Sequence, residues 1–98
     1  MKFRVIYLPK TIKDREEIKS YLSQFYKGTS KRFFALLKTK ISMLKNFPLS
    51  CPAYEGNSRY RKLVVGDYLV FYVVHENAKV VEIHYIIHGS RNLTNLLD

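Results

Sequence analysis

The residues that could do chemistry lie close together near the C-terminal end of this 98-residue chain. The segment Tyr-Ile-Ile-His-Gly-Ser-Arg ends an apolar run with His88 and Gly89, and Arg91 follows two residues later. An imidazole titrates near neutral pH and can act as an acid or a base. A guanidinium binds phosphate through two parallel hydrogen bonds, and a glycine lets backbone or ligand approach closely. The pattern predicts a strand end that presents an imidazole and a cation to a partner.

Cations and aromatic side chains also occur on other predicted strands of the same small sheet. The candidates for target or nucleic-acid binding are Arg59, Tyr60, Lys62, Tyr68, Tyr72 and His84. Cations interleaved with aromatic rings are what phosphate contact and base stacking require, provided that the fold brings them to one end or face of the sheet. The alternative is structural: Arg91 pairs with Asp67 or Glu82, and the tyrosines fill the core.

Metal-dependent and thiol chemistry are not expected. His84 and His88 have the spacing of two metal ligands on a helix, but on a strand four residues span about 13 Å, which is too far for one ion. Cys51 is the only cysteine, so no internal disulfide can form, and it lies away from any predicted helix N-terminus. The sequence has no glycine-rich phosphate loop, no nucleophile elbow and no paired carboxylates of the glycosidase type. We therefore expect neither a metal nor another cofactor.

The charge of the chain points to acidic partners. Seventeen Lys and Arg residues against eight Asp and Glu residues give a formal net charge of +9, and a field of this sign favours polyanions or acidic proteins. Hydrophobic residues make up 47% of the chain, as in a globular protein with one modest core. The apolar run at residues 3–8 is too short for a signal sequence or a membrane span. We expect one cytoplasmic domain over residues 1–98, without a membrane contact.

The hydrophobic periodicity predicts two amphipathic helices and four strands. Helical spacing of apolar residues occurs twice, with Gly28 as the break between the two stretches, and β-rich runs bounded by turn residues occupy most of the remainder. The strands are predicted at residues 2–8, 60–65, 68–74 and 80–87, the helices at 11–26 and 30–46, and a loop at 47–58. The fold class is therefore α+β in the order β-α-α-β-β-β, an antiparallel sheet with a helical hairpin packed on one face.

This layout and its motifs resemble the RelE/ParE superfamily of type II toxin–antitoxin toxins. The likeness is strongest over residues 60–97, in the stretches YRKLVVGDYLVFYVV and IHYIIHGSRNLTNLL. It implies a bacterial growth inhibitor that a cognate acidic antitoxin holds silent by covering its basic surface. RelE-like members cleave mRNA on the ribosome without a metal, by helping the ribose 2′-OH attack the adjacent phosphate, and ParE-like members instead poison DNA gyrase.

If the chain is a nuclease, the resemblance implies Arg61, His88 and Arg91 as its catalytic residues. Arg61 matches a basic position on the strand that precedes the central strand, and Arg91 matches the arginine after the last strand. Two other elements of the nuclease pattern are missing, because Leu69 stands where an arginine is usual and residues 92–98 contain neither a tyrosine nor a histidine. The closing His-Gly-Ser-Arg is more similar to ParE. We expect a ParE-like inhibitor of DNA gyrase; a RelE-like endoribonuclease and an inactive toxin-derived binding module are the alternatives, and the oligomeric state stays open.

Overall fold

The computed structural model describes residues 2–26 and 28–90. Its elements, in chain order, are β1 (Arg4–Tyr7), α1 (Pro9–Leu22), α2 (Thr29–Met43), β2 (Ala53–Tyr54), β3 (Asn57–Val65), β4 (Tyr68–His75) and β5 (Val80–His88). The predicted α+β class and the helical hairpin between strands are confirmed. The short strand β2 is an addition, since it lies inside the stretch that was predicted to be a loop.

The two helices begin and end for local reasons. Pro9 occupies the first turn of α1, where a missing N–H costs nothing and the fixed φ angle suits a helix. Thr11, fully buried in that turn, donates its hydroxyl hydrogen to the Leu8 carbonyl at 2.7 Å. The helix ends four residues earlier than predicted, at Leu22, and Gly28 then takes a φ of +87° before α2, a conformation that favours glycine.

The five strands form one sheet in the order β1-β5-β4-β3-β2. The meander β3-β4-β5 is antiparallel, as predicted, and the unpredicted strand β2 also pairs antiparallel with β3. The prediction of a wholly antiparallel sheet is wrong at β1, which runs parallel to β5. The reason is the path of the chain: the helical hairpin carries it across one face to the far edge, and the meander then returns until β5 lies beside β1. The sheet is therefore mixed at one edge.

The sheet packs differently on its two faces. The helix-covered face holds the larger core. Leu37 and Ile41 of α2, together with Leu44 just after it, belong to this core. They pack on strand residues such as Val65, Val70 and Ile83. The opposite face, called the open face below, holds a smaller cluster. Its members are Tyr60, Phe71, Val73 and Ile87, with Tyr54, Leu69 and Tyr85 packed against them.

A β-bulge in β5 decides which side chains reach the open face. Phe71 of β4 is opposite Tyr85, but its neighbour Tyr72 is opposite Ile83, so His84 is the extra residue. A bulge re-aims the side chains beside it. His84 consequently contacts Tyr60 on the open face, whereas Ile83 lies in the core under the helices.

Neither helix in the described part of the chain is long and apolar enough to cross a membrane.

Candidate functional site

The structure separates two of the residues that were expected to act together. Arg61 is opposite Tyr72 in the sheet, and His88 is opposite Tyr68, which lies four residues earlier in β4. Four residues of strand span about 13 Å. Arg61 and His88 therefore do not converge at one end of the sheet, and the third candidate, Arg91, lies outside the described residues.

Arg61 and Tyr72 hold a loop in place. One nitrogen of the Arg61 guanidinium donates to the Leu49 carbonyl at 3.3 Å and to the Cys51 carbonyl at 2.5 Å. The Tyr72 hydroxyl donates to the Pro48 carbonyl at 2.9 Å, and the ring is fully buried. Burial, followed by the contact with Cys51, raises the pKa of Tyr72. Tyr72 thus has no ring face to offer a base, and for this residue the structural alternative holds.

The open face carries a hydrogen-bonded chain of four side chains that links β3 to the hairpin formed by β4 and β5. Both Nε2 of His75 and Nε2 of His84 lie 3.0 Å from Oε1 of Glu82. The other ring nitrogen of His84, Nδ1, is 3.3 Å from the Tyr60 hydroxyl. When His84 donates its Nε2 hydrogen to Glu82, Nδ1 accepts the Tyr60 hydrogen, so that the carboxylate polarises the phenol through the imidazole. We call this set the open-face chain.

The surroundings of the open-face chain fix its ionisation. Hydrogen bonds from His75 and then His84 lower the pKa of Glu82, which keeps that carboxylate charged. Burial is the main cause that raises the pKa of Tyr60, so its hydroxyl keeps its proton at neutral pH. The arrangement offers a neutral phenol, an imidazole and a carboxylate in series, which is a set of groups that can relay a proton.

Cations border the open-face chain. The guanidinium of Arg59 lies 5.6 Å from the centre of the Tyr60 ring, and the ammonium of Lys10 lies 4.6 Å from the centre of the Tyr85 ring. Lys62 is opposite Phe71, whose side chain belongs to the open-face cluster. The expected cations Arg59 and Lys62 therefore accompany Tyr60 and His84 on this face, where cations over aromatic rings are favourable contacts.

His75, Glu82 and Lys10 were not among the predicted site residues. The sequence could have indicated His75 and Glu82. The predicted β4–β5 hairpin places the end of β4 beside the start of β5, and Glu82 is two residues from His84 on the same strand. Lys10 gave no such signal, since only the start of α1 next to the sheet edge brings it to Tyr85. In the described part of the chain, no three His, Cys, Asp or Glu side chains are placed to hold a metal ion.

His88 occupies a different environment, on the helix-covered face at the end of β5. Its ring packs edge-on against Tyr68 with the two centres 5.2 Å apart, and its Nδ1 accepts the Ser90 backbone hydrogen at 3.1 Å. A cavity of about 440 Å³ opens between this end of the sheet and α1. Asp14, Glu17 and Tyr21 line it together with Tyr68 and His88.

Gly89 serves the backbone at this end of the sheet. Its N–H donates to the Asp67 carbonyl at 2.8 Å, and a Cβ atom added there would lie 3.2 Å from the same oxygen. That separation is tighter than most Cβ contacts, so a side chain would push the two turns apart. The space beside Gly89, which was predicted to let a ligand approach, is instead occupied by the turn that contains Asp67.

The comparisons with known proteins agree with this fold. The family model for the ParE toxin of the type II toxin–antitoxin system, parDE, matches residues 5–93. Among solved structures, the archaeal RelE–RelB complex from Pyrococcus horikoshii OT3 contains a similar chain: the TM-score is 0.58 and the identity 22%, over 94% of this chain and 100% of that chain. At this identity the structural likeness supports the fold alone. No curated protein gives a significant match.

Proposed function

This chain belongs to the ParE toxin family of type II toxin–antitoxin systems, and from that premise we propose that it stops growth by binding and inhibiting DNA gyrase. One observation carries the proposal: Arg61 and His88, two of the residues expected to catalyse phosphate cleavage, are not assembled for it. Arg61 is occupied by loop carbonyls, and His88 shares its cavity with the carboxylates of Asp14 and Glu17. Phosphate cleavage needs cations directed at developing negative charge, whereas inhibition by binding a protein does not.

The open face is the surface that we propose for the target. Arg59 is exposed beside Tyr60, and Lys62 and Tyr85 remain partly accessible, which gives a mixture of cationic and aromatic groups. Aromatic residues and arginines are the groups that contribute most at protein interfaces. Since Tyr60 and His84 are largely buried in their own hydrogen bonds, their part is to hold the exposed groups in position.

A cognate acidic antitoxin is the second partner that we propose. The net charge of +9 favours association with an acidic chain, and complementary charge speeds the encounter of two proteins. The structurally similar archaeal protein is described as a RelE–RelB complex, which supports a partner of this kind. The antitoxin is expected to protect cells from the chain whichever target is correct.

An mRNA endoribonuclease is the second candidate, and the open-face chain favours it. A phenol, an imidazole and a carboxylate in series, with Arg59 beside the phenol, could take a proton from a ribose 2′-OH and stabilise charge on the phosphate. In this case Tyr60→Phe and Glu82→Gln should each abolish RNA cleavage. Neither substitution should abolish inhibition of gyrase by a protein contact.

Induction of the chain in bacteria separates these functions. Thymidine and methionine incorporation are followed with radiolabel for some minutes after induction, and purified chain is added to a gyrase supercoiling assay. The proposal predicts an early halt in DNA synthesis, an SOS response and inhibited supercoiling. An immediate halt in translation with cut mRNA would establish the nuclease instead, and unimpaired growth would favour the inactive binding module. Arg91→Ala, at a position outside the described residues, is expected from the family pattern to weaken toxicity.

A further inference from the structure

The cavity beside His88 has a chemistry opposite to that of the rest of the molecule. The chain carries +9, yet two of its eight acidic residues, Asp14 and Glu17, line this one cavity. Asp14 already accepts a hydrogen bond from Lys10 at 2.9 Å. Glu17 is exposed and forms no ion pair within residues 2–26 and 28–90. A positively charged group that entered the cavity would therefore meet an unneutralised carboxylate.

Tyr68 gives an independent indication that the cavity receives a ligand. Only 7% of this residue is exposed, it lines the cavity, and its hydroxyl has no hydrogen-bond partner among the described residues. Burial and then the neighbouring Tyr21 and Asp67 raise the pKa of Tyr68, so its hydroxyl is protonated at neutral pH. No buried side-chain oxygen or nitrogen of the described residues lacks a hydrogen-bond partner, so the unpaired Tyr68 hydroxyl is the accessible part of an otherwise buried side chain. At the cavity wall it is open to a hydrogen-bond donor of a ligand.

The walls of the cavity select the type of cation. Tyr21, half exposed, and Tyr68 offer aromatic surface, and Ile18 and Ile86 form an apolar part of the lining. A guanidinium stacks on aromatic rings, donates several hydrogen bonds in one plane and sheds water more readily than an ammonium does. A volume of about 440 Å³ accommodates a long side chain together with part of the segment that carries it.

We propose that this cavity binds an arginine side chain of a protein partner, with Glu17 and Tyr68 as the groups that accept its hydrogen bonds. The site does not depend on which target the toxin inhibits, and it lies on the helix-covered side of the sheet, away from the open-face chain. A nucleic acid is the wrong ligand for it, because the carboxylates of Asp14 and Glu17 would repel phosphate.

The test is an NMR titration of the full-length chain with N-acetyl-arginine methylamide as the probe. N-acetyl-citrulline methylamide, which has nearly the same shape but no charge, is the control ligand. The proposal predicts that the arginine probe shifts the signals of Ile18, Tyr21, Tyr68 and His88, that the citrulline probe does not, and that salt weakens the binding. Equal binding of both probes, or shifts spread over the open face, would overturn it.

Two variants and one matched control connect the binding to the named groups. Glu17→Gln should weaken binding of the arginine probe by about 1.5- to 5-fold, the range of exposed ion pairs. Glu16→Gln makes the same change in net charge one residue away, but Glu16 lines a different cavity, so the affinity should not change. Tyr68→Phe removes only the hydroxyl and should also weaken binding while the fold is retained.

Three outcomes would refute the proposal. Equal losses of affinity in Glu17→Gln and Glu16→Gln would mean that the probe responds to net charge alone. Binding that appears only in an Arg91→Ala background would mean that an arginine of the chain itself competes for the cavity. Displacement of the arginine probe by a short single-stranded RNA, with the same residues shifted, would identify the cavity as a nucleic-acid site.

Discussion

Replacing Tyr72 with phenylalanine tests the inference that this residue anchors the loop at residues 48–51. The substitution keeps the ring, which is fully buried, and removes only the hydroxyl that donates to the Pro48 carbonyl at 2.9 Å. A net protein hydrogen bond is worth about 1 kcal/mol, and leaving its buried partner unpaired costs about 1–3 kcal/mol. We therefore expect Tyr72→Phe to lower the free energy of unfolding at pH 7 by roughly 1–2 kcal/mol.

The loss should depend on pH in a direction fixed by the raised pKa of Tyr72. In the folded protein the hydroxyl keeps its proton when the unfolded chain, with a tyrosine pKa near 10, has lost it. The contribution of the hydroxyl is thus complete below about pH 10 and falls above it, by about 1.4 kcal/mol for each pH unit. The gap between wild type and Tyr72→Phe should therefore narrow as the pH rises through 10 to 11.

Urea unfolding at several pH values measures both effects, with thermal unfolding as a second readout. For a domain of this size, each kcal/mol corresponds to roughly 4–8 °C in Tm. Tyr26→Phe is the matched control, because Tyr26 is 87% exposed and should leave both quantities unchanged. If Tyr72→Phe were as stable as Tyr26→Phe at pH 7, or if the gap did not change with pH, the hydroxyl would not be the anchor.

Three further substitutions test other parts of the structure. Arg61→Ala should lower the free energy of unfolding by about 1 kcal/mol and speed hydrogen exchange in the loop at 48–51, because two carbonyls lose their donor. Arg59→Ala is the control, since Arg59 is an exposed cation of the same strand, and it should change the free energy of unfolding by less than about 0.5 kcal/mol. Glu82→Gln should make the free energy of unfolding depend less on pH in acid. The lowered pKa of Glu82 gives wild type a stabilisation that is present above the ordinary carboxyl range and is lost as the pH falls. In urea titrations at decreasing pH, the free energies of unfolding of the two proteins should therefore become equal. Gly66→Ala should cost about 1 kcal/mol in the same unfolding assay, since Gly66 has a φ of +57°.

The fold was accessible from the sequence because its periodicities are strong and its turns carry ordinary signals. The central strand is apolar on both faces, and it is buried on both faces in the structure. Pairing at long range was less accessible: nothing local shows that β1 lies parallel to β5. The strand β2 consists of two residues, Ala53 and Tyr54, within a segment rich in proline and glycine, and its pairing with β3 is a tertiary effect.

The candidate site was predicted less well than the fold, and Arg61 shows why. A cation on a strand is indistinguishable in sequence from a free phosphate ligand, because its partners are backbone carbonyls 10 and 12 residues away. Carbonyl groups occur at every residue and leave no trace in the sequence. Tyr72 was predicted to lie at a binding surface, whereas it is buried. The sequence could not reveal this for the same reason, since the partner of its hydroxyl is the carbonyl of Pro48. By contrast, Lys62 is two residues from Tyr60 and shares its face, as strand alternation requires. Arg59 precedes Tyr60 directly, and its long side chain brings the guanidinium within 5.6 Å of the centre of the Tyr60 ring.

The bulge at His84 is the feature that divides the chemistry of this protein between two faces. Residues four apart on a regular strand share a face, so His84 and His88 would lie on the same side without it. The extra residue reverses the alternation: His84 joins Tyr60 and Glu82 on the open face, and His88 joins Tyr68 beneath α1. No single ion or substrate can contact both imidazoles through the sheet. The two histidines must therefore serve separate contacts, one on each face.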